Sequence, residues 1–261
     1  MKVVTLDFDG VIADSQFECL VDGFNSYLKL HKNTKLFGGQ KITFDNFNKV
    51  KRKHKTTIEK YKKLRPYVID GFCFYVILYI IENNIKIKNQ NQYNKVRKKL
   101  MEKFYDKYIP YFYNERFLLQ KKNFGKWLEL ETPYEKIIDG IKKLEKDYII
   151  TIATNNRKDS IQPFLKNYNI EPLIISDSKV SIDKKKQLKR IKNKLKVNFD
   201  EIHFVDDQVR HFSKLIPLGI KCYLATWGYN NEEQQEEAKK QGAIFLNKDN
   251  FYKELVKKHN V

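Results

Sequence analysis

Cysteine is scarce in the 261-residue chain. Cys19, Cys73 and Cys222 are odd in number, far apart and outside any Cys-x-x-Cys spacing. They suggest neither a disulfide framework nor a zinc site, and the expected compartment is a reducing cytoplasm. Long apolar runs are missing too. The longest, residues 71–81, is about half the ~20 residues a membrane span needs and reads as a buried helix, so no membrane partner is expected. The first residues read as a core strand rather than a cleaved leader. There is no Gly-x-Gly-x-x-Gly, no Walker P-loop and no internal repeat, so neither nucleotide fingerprint competes for the fold. His31, His54, His203, His211 and His259 fall in no metal-ligand or triad spacing, which leaves them surface or structural roles. Acidic residues number 32 against 51 Lys and Arg, a net charge of +19 with a pI near 9.5. Such a charge attracts nucleic acid, anionic membrane or phosphorylated substrates. It is also what a lysine- and asparagine-rich coding bias produces. No block resembles a disordered basic arm, so a dedicated nucleic-acid face is the weaker reading.

The chemistry is concentrated at the N-terminus. A β-branched apolar run from Val3 to Leu6 predicts a buried strand, and Asp7-Phe8-Asp9-Gly10 follows it. Asp7 and Asp9, two residues apart, share one side of an extended chain. Ligands of open α/β sheets gather at the carboxyl ends of strands, and Gly10 allows a sharp turn there. Two carboxylates held this close repel, and a cation such as Mg²⁺ relieves the repulsion.

Three later segments have matching character. Residues 148–154 form an apolar strand ending at Thr154, followed by Asn155. Lys184 stands about twenty residues before a further strand, residues 201–206, that closes on Asp206-Asp207. Between the first and second of these four motifs, residues 16–127 are helical in character. Phe17, Leu20, Val21, Phe24, Tyr27 and Leu28 recur at helical spacing, and Gly38-Gly39 and residues 83–94 punctuate the segment as loops. Four to six helices are expected there, with Phe72, Phe74, Tyr75, Tyr79, Phe104, Tyr105 and Tyr108 as core. Strand–helix alternation resumes at Thr132-Pro133, read as a helix start with Pro at the first helical position. Helices are expected over residues 134–146, 159–168, 184–194 and 209–215, and strands over 148–154, 172–176, 201–206 and 220–226. This alternation predicts a mainly parallel sheet.

The four motifs, in this order, resemble those of the haloacid dehalogenase superfamily. Most of its members are Mg²⁺-dependent phosphatases that form an aspartyl-phosphate. The resemblance covers residues 1–15 and about 130–261. It implies a doubly wound Rossmann-like α/β core over residues 1–15 and 130–261, with an all-helical C1-type cap over 16–129. It also implies Asp7 as nucleophile and Asp9 as general acid–base. Thr154, Asn155, the amides after Thr154 and Lys184 would hold phosphate. Asp7, the Asp9 carbonyl, Asp206 and Asp207 would hold Mg²⁺. Adjacent carboxylates on a strand point to opposite faces, so Asp206 is the safer ligand and Asp207 serves only if the chain turns. Val205 and Arg210 depart from the family's Gly-Asp-x-x-x-Asp form. Lys179, Lys185 and Lys186 compete with Lys184 for the third motif. Arg65, in Leu64-Arg65-Pro66, would place a cation on a cap loop, as a specificity residue or merely an exposed one. The expected function is hydrolysis of a small phosphate monoester, resembling the phosphoglycolate phosphatase group partly through Trp227-Gly228-Tyr229. The alternatives are a β-phosphoglucomutase-like mutase, a nucleotide or nucleic-acid end phosphatase, and a nucleic-acid-associated protein.

Overall fold

A computed structural model describes residues 2–257; His259 lies outside the described residues. The chain divides into two units, residues 1–14 with 132–261, and residues 15–131.

The first unit is built on six parallel strands in the order β5-β4-β1-β6-β7-β8. These are β1 (Val3–Leu6), β4 (Ile149–Ala153), β5 (Ile174–Ser176), β6 (Ile202–Asp206), β7 (Lys221–Ala225) and β8 (Ile244–Leu246). β1 is buried throughout, as a central strand covered on both faces must be. From β1 the chain steps outward to β4 and β5, then returns to β6 on the other side of β1 and continues to β7 and β8. The order therefore reverses around β1, where the switch-point rule places ligands. The registers Leu6↔Ile152 and Leu6↔Val205 bring the ends of β4 and β6 level with the end of β1. One core layer gathers Leu188, Ile191, Phe204, Phe212 and Leu224. Around the sheet run α7 (Glu135–Leu144), α8 (Lys158–Asn167), α9 (Lys184–Leu195), α10 (Glu232–Lys240) and α11 (Phe251–Val256).

Some local expectations are corrected. Pro133 does not open a helix. It lies in β3 (Thr132–Pro133), paired antiparallel with β2 (Ala13–Asp14), and α7 begins at Glu135. An outer two-stranded ribbon tolerates a residue without an N–H. Residues 209–214 form a 3₁₀ turn rather than an α-helix. β8 and the two last helices were not foreseen. β8 is three residues long, and α10 buries only Ala238, so it shows no apolar stripe.

The second unit is helical: α1 (Gln16–Leu30), α2 (Phe47–Lys53), α3 (Lys55–Leu64), α4 (Phe72–Glu82), α5 (Gln90–Lys122) and α6 (Phe124–Leu128). The apolar run forms α4, with nine residues buried. The asparagine-rich loop is shorter than expected, because Asn89 caps α5 by accepting the Gln92 N–H. Phe72, Phe74, Tyr75 and Tyr108 are buried, while Tyr79, Phe104 and Tyr105 are half-buried. Arg65 is not on an exposed loop. It is 5 % exposed in a 3₁₀ turn with its guanidinium 5.1 Å from the Phe74 ring centre, because its apolar stem and planar head pack as aromatic surface does.

Within this unit Glu18 and Asp22, both fully buried, face the Arg116 guanidinium, which donates to Glu18 Oε2 at 2.8 Å and to Asp22 Oδ2 at 3.1 Å. Burial and then the Glu18 charge push the Asp22 carboxyl well above the usual range. Burial opposes ionisation of Glu18 as well, but the Arg116 charge and its hydrogen bonds hold Glu18 below it. Arg116→Met should destabilise the protein by about 3–5 kcal/mol, since it strands a buried carboxylate. Asp22 gives up its proton less readily in the fold than in the unfolded chain. Its contribution is therefore complete below the ordinary carboxylate pKa and lost as pH rises through the raised one. Asp22→Asn should flatten that decline, as read from urea midpoints across pH.

Candidate active site

Three neighbouring strand ends build the site. Asp7 follows β1, and its N–H donates to the Val205 carbonyl at 2.9 Å, which keeps it in sheet register beside Asp206. Asp206 is the last residue of β6 and fully buried, Asp7 is 7 % exposed and Asp207 is buried. Carboxylate oxygens of Asp7, Asp206 and Asp207 lie within 4.8 Å of one another. The chain does turn between Asp206 and Asp207, as joint service of the two requires: the Gln208 N–H folds back onto Asp206 Oδ1 at 2.9 Å.

Lys184 is the lysine that reaches this cluster. Its ammonium lies 3.1 Å from Asp7 Oδ1 and 3.8 Å from Asp206 Oδ2, and donates to the Ala153 carbonyl at 2.5 Å. Only 1 % of it is exposed. It opens α9 directly after Asp183, whose side chain caps the helix by accepting the Lys185 N–H. Lys185 and Lys186 are exposed, and Lys179 pairs with Asp159 at the surface.

Thr154, fully buried, follows β4 and accepts the Asn156 N–H at 3.0 Å. That bond occupies a lone pair and leaves the hydroxyl proton to be donated. Of the amides expected to follow Thr154 toward a phosphate, the Asn156 N–H is thereby taken, and the Arg157 N–H donates to Asn156 Oδ1. The Asn155 side chain, half-buried, is 3.5 Å from Gln187 Nε2. Sequence reasoning missed Asn156, whose amide donates to Asp9 Oδ2 at 3.2 Å, and Gln187, which donates to the Thr154 carbonyl at 2.8 Å. Neither residue type is distinctive at a strand end or inside a lysine-coated helix. Asp9 itself is half-buried in the turn that Gly10 makes at φ +79°.

Asp207 is fixed from behind by the loop after β7. The Tyr229 N–H donates to Asp207 Oδ2 at 2.6 Å, the Tyr229 hydroxyl donates to Asp14 at 2.7 Å, and Gln208 Nε2 holds the Tyr229 carbonyl at 2.9 Å. A Cβ on Gly228 would sit 2.3 Å from the Asp207 Cβ and 2.6 Å from the Gly10 carbonyl. Gly228→Ala should therefore shift Asp207 and lower activity by roughly 10–100-fold while the sheet stays folded, as steady-state kinetics beside circular dichroism will check.

Burial, and then the Asp7 charge, push the Asp206 carboxyl well above its usual range against the opposing pull of Lys184. Asp206 Oδ2 is buried and accepts no hydrogen bond among the described residues. A compact oxygen cluster with an orphaned, crowded carboxylate oxygen fits a hard dication such as Mg²⁺.

A family model for haloacid dehalogenase-like hydrolases matches residues 1–213. The chain belongs to that family. Solved structures similar to this haloacid dehalogenase-like hydrolase share its fold at low identity. A predicted phosphatase from Clostridium acetobutylicum is 16 % identical with a TM-score of 0.59, the match covering 98 % of each chain. A predicted phosphoglycolate phosphatase from Haemophilus somnus is 14 % identical at 0.58, covering 98 % of this chain and 96 % of that one. A protein described as a β-phosphoglucomutase, from Thermotoga maritima, is 16 % identical at 0.53, covering 98 % of each. No curated protein sequence matches the chain. Among the described residues no helix is long and apolar enough to cross a membrane.

Proposed function

We propose that this hydrolase is a Mg²⁺-dependent phosphatase that cleaves a small phosphate monoester through a phosphorylated Asp7. The observation that carries the reading is Lys184, a buried cation within 4 Å of both Asp7 and Asp206 at the ends of adjacent strands. Phosphoryl transfer needs a nucleophile and positive charge already in place around the transferring group, and this arrangement supplies both.

An Asp7 carboxylate oxygen attacks phosphorus and the bond to the leaving oxygen breaks, while Asp9 gives that oxygen a proton. Water then attacks the acyl phosphate, Asp9 takes its proton, and the bond between phosphorus and Asp7 breaks. Asn156 orients the Asp9 carboxyl for both transfers through its 3.2 Å hydrogen bond. Thr154 donates its hydroxyl proton to a phosphate oxygen, and Lys184 balances the charge of Asp7 and the phosphoryl group. Asp7, Asp206, Asp207 and the Asp9 carbonyl would hold Mg²⁺, which supplies further charge neutralisation when bound.

The test is phosphate release from a panel of sugar phosphates, nucleotides, phosphoglycolate and end-phosphorylated oligonucleotides. Steady release from a small ester, lost in excess chelator and restored by Mg²⁺, is the expected result. A requirement for an activating sugar bisphosphate would point to a mutase instead, and undiminished release in chelator would remove the metal from the mechanism.

A further inference from the structure

The first unit holds a second feature suited to anions. A cavity of about 260 Å³ is lined by Ile182, Asp183, Lys184, Lys185, Arg210, His211 and Lys214. None of Asp7, Asp9, Thr154, Asp206 or Asp207 lines it. Lys184 forms the wall between the two sites, its ammonium committed to Asp7 and the Ala153 carbonyl.

The charge of the lining is one-sided. Lys185, Arg210 and Lys214 bring cations, and the single carboxylate, Asp183, already accepts the Lys185 N–H as a helix cap. The ring nitrogens of His211 have no hydrogen-bond partner among the described residues. Burial, and then the charges of Arg210, Lys184 and Lys214, lower its pKa well below the usual value. A neutral imidazole still offers one N–H donor. Three cations and a donor line one small space, so an anion entering it meets positive charge from Lys185, Arg210 and Lys214 together. The volume is just below the roughly 300–1,000 Å³ of drug-sized ligand pockets, which suits an oxyanion rather than a whole nucleotide.

We propose that this cavity is a second anion-binding site that takes a phosphate or pyrophosphate group, separate from the carboxylate cluster. The site stands on its own lining, whatever reaction Asp7 performs. Its ligand is the chemistry common to a free small effector and to the distant phosphate of a doubly phosphorylated substrate.

The experiment titrates inorganic phosphate and pyrophosphate into the metal-free full-length protein. Calorimetry gives the affinity, and the His211 ring resonances report the location. Saturable binding that moves the His211 signals and leaves those of His31 and His54 in place is the expected result. Arg210→Gln with Lys214→Gln should weaken pyrophosphate binding by about tenfold or more, the scale of lost charge-assisted hydrogen bonds. Lys142→Gln with Lys143→Gln, which removes equal charge from exposed positions on α7, should leave the affinity within about twofold, since remote surface charges are screened. Absence of saturable binding overturns the proposal, as do equal losses in the two double variants. So does a loss on Thr154→Val that the Arg210 and Lys214 pair does not share. A second arm compares KM for a mono- and a bisphosphorylated sugar in the Arg210 and Lys214 variant. A rise for the bisphosphate alone assigns the site to substrate, and no change assigns it to a separate effector; both keep the anion site.

Discussion

Asp7→Asn should abolish turnover, by on the order of 10⁴-fold or more, while the protein folds as before. The amide has nearly the shape of the carboxylate but no anionic oxygen to attack phosphorus. Asp7 contributes repulsion to Asp206, whose carboxyl is raised by burial and by the Asp7 charge. Removing that charge should leave the thermal midpoint of the metal-free protein unchanged or higher, even though Lys184 loses its contact at 3.1 Å. A differential scan beside an endpoint phosphate assay reads both quantities. A variant that keeps more than a few per cent of activity contradicts the assignment of Asp7.

Lys184→Met should act on both chemistry and stability. The substitution keeps an unbranched stem and removes the cation from among Asp7, Asp206 and the Ala153 carbonyl. Activity should fall by about 10²–10³-fold, the scale of losing one pre-organised charge partner of a transition state. The metal-free fold should lose about 3–5 kcal/mol, because buried carboxylates are left without their counter-ion. Mg²⁺ at saturating concentration should recover part of that loss, so the rise in midpoint on adding Mg²⁺ should be larger in the variant than in the parent. Lys186→Met, at an exposed neighbour, should change neither activity nor midpoint. Equal effects of the two substitutions would show that general basic charge, and not the placed ammonium, matters.

The strands that carry the candidate site were legible because their ends combine two signals that the physics ties together. An apolar β-branched run must be buried, and a polar side chain directly after it must sit at the rim of the sheet. Asp7, Thr154 and Asp206 follow from that rule, and the register between β1, β4 and β6 places them side by side. Lys184 could not be singled out from Lys179, Lys185 and Lys186 by composition, because one turn of a helix decides which of them is buried. Asn156 and the Tyr229 amide were invisible for another reason. Their work is done by hydrogen bonds across more than twenty residues of sequence, 156 to 9 and 229 to 207, and such bonds leave no periodicity. The exposure expected of Arg65 was wrong because proline and arginine side by side look like a loop, whereas the helical unit buries the guanidinium against Phe74. The C-terminal β8 and α11 show how far short elements escape detection when three residues of strand or six of helix carry the pattern.

In the proposed reaction the phosphoryl group passes through a covalent bond to Asp7. The most direct measurement is an acid-quenched turnover with p-nitrophenyl phosphate, followed by borohydride reduction and peptide mass spectrometry. Reduction turns an aspartyl acyl phosphate into homoserine, so homoserine is expected at position 7 in the parent protein and none in Asp7→Asn. Sustained hydrolysis with an unmodified Asp7, or homoserine at Asp9, Asp206 or Asp207 instead, would contradict it.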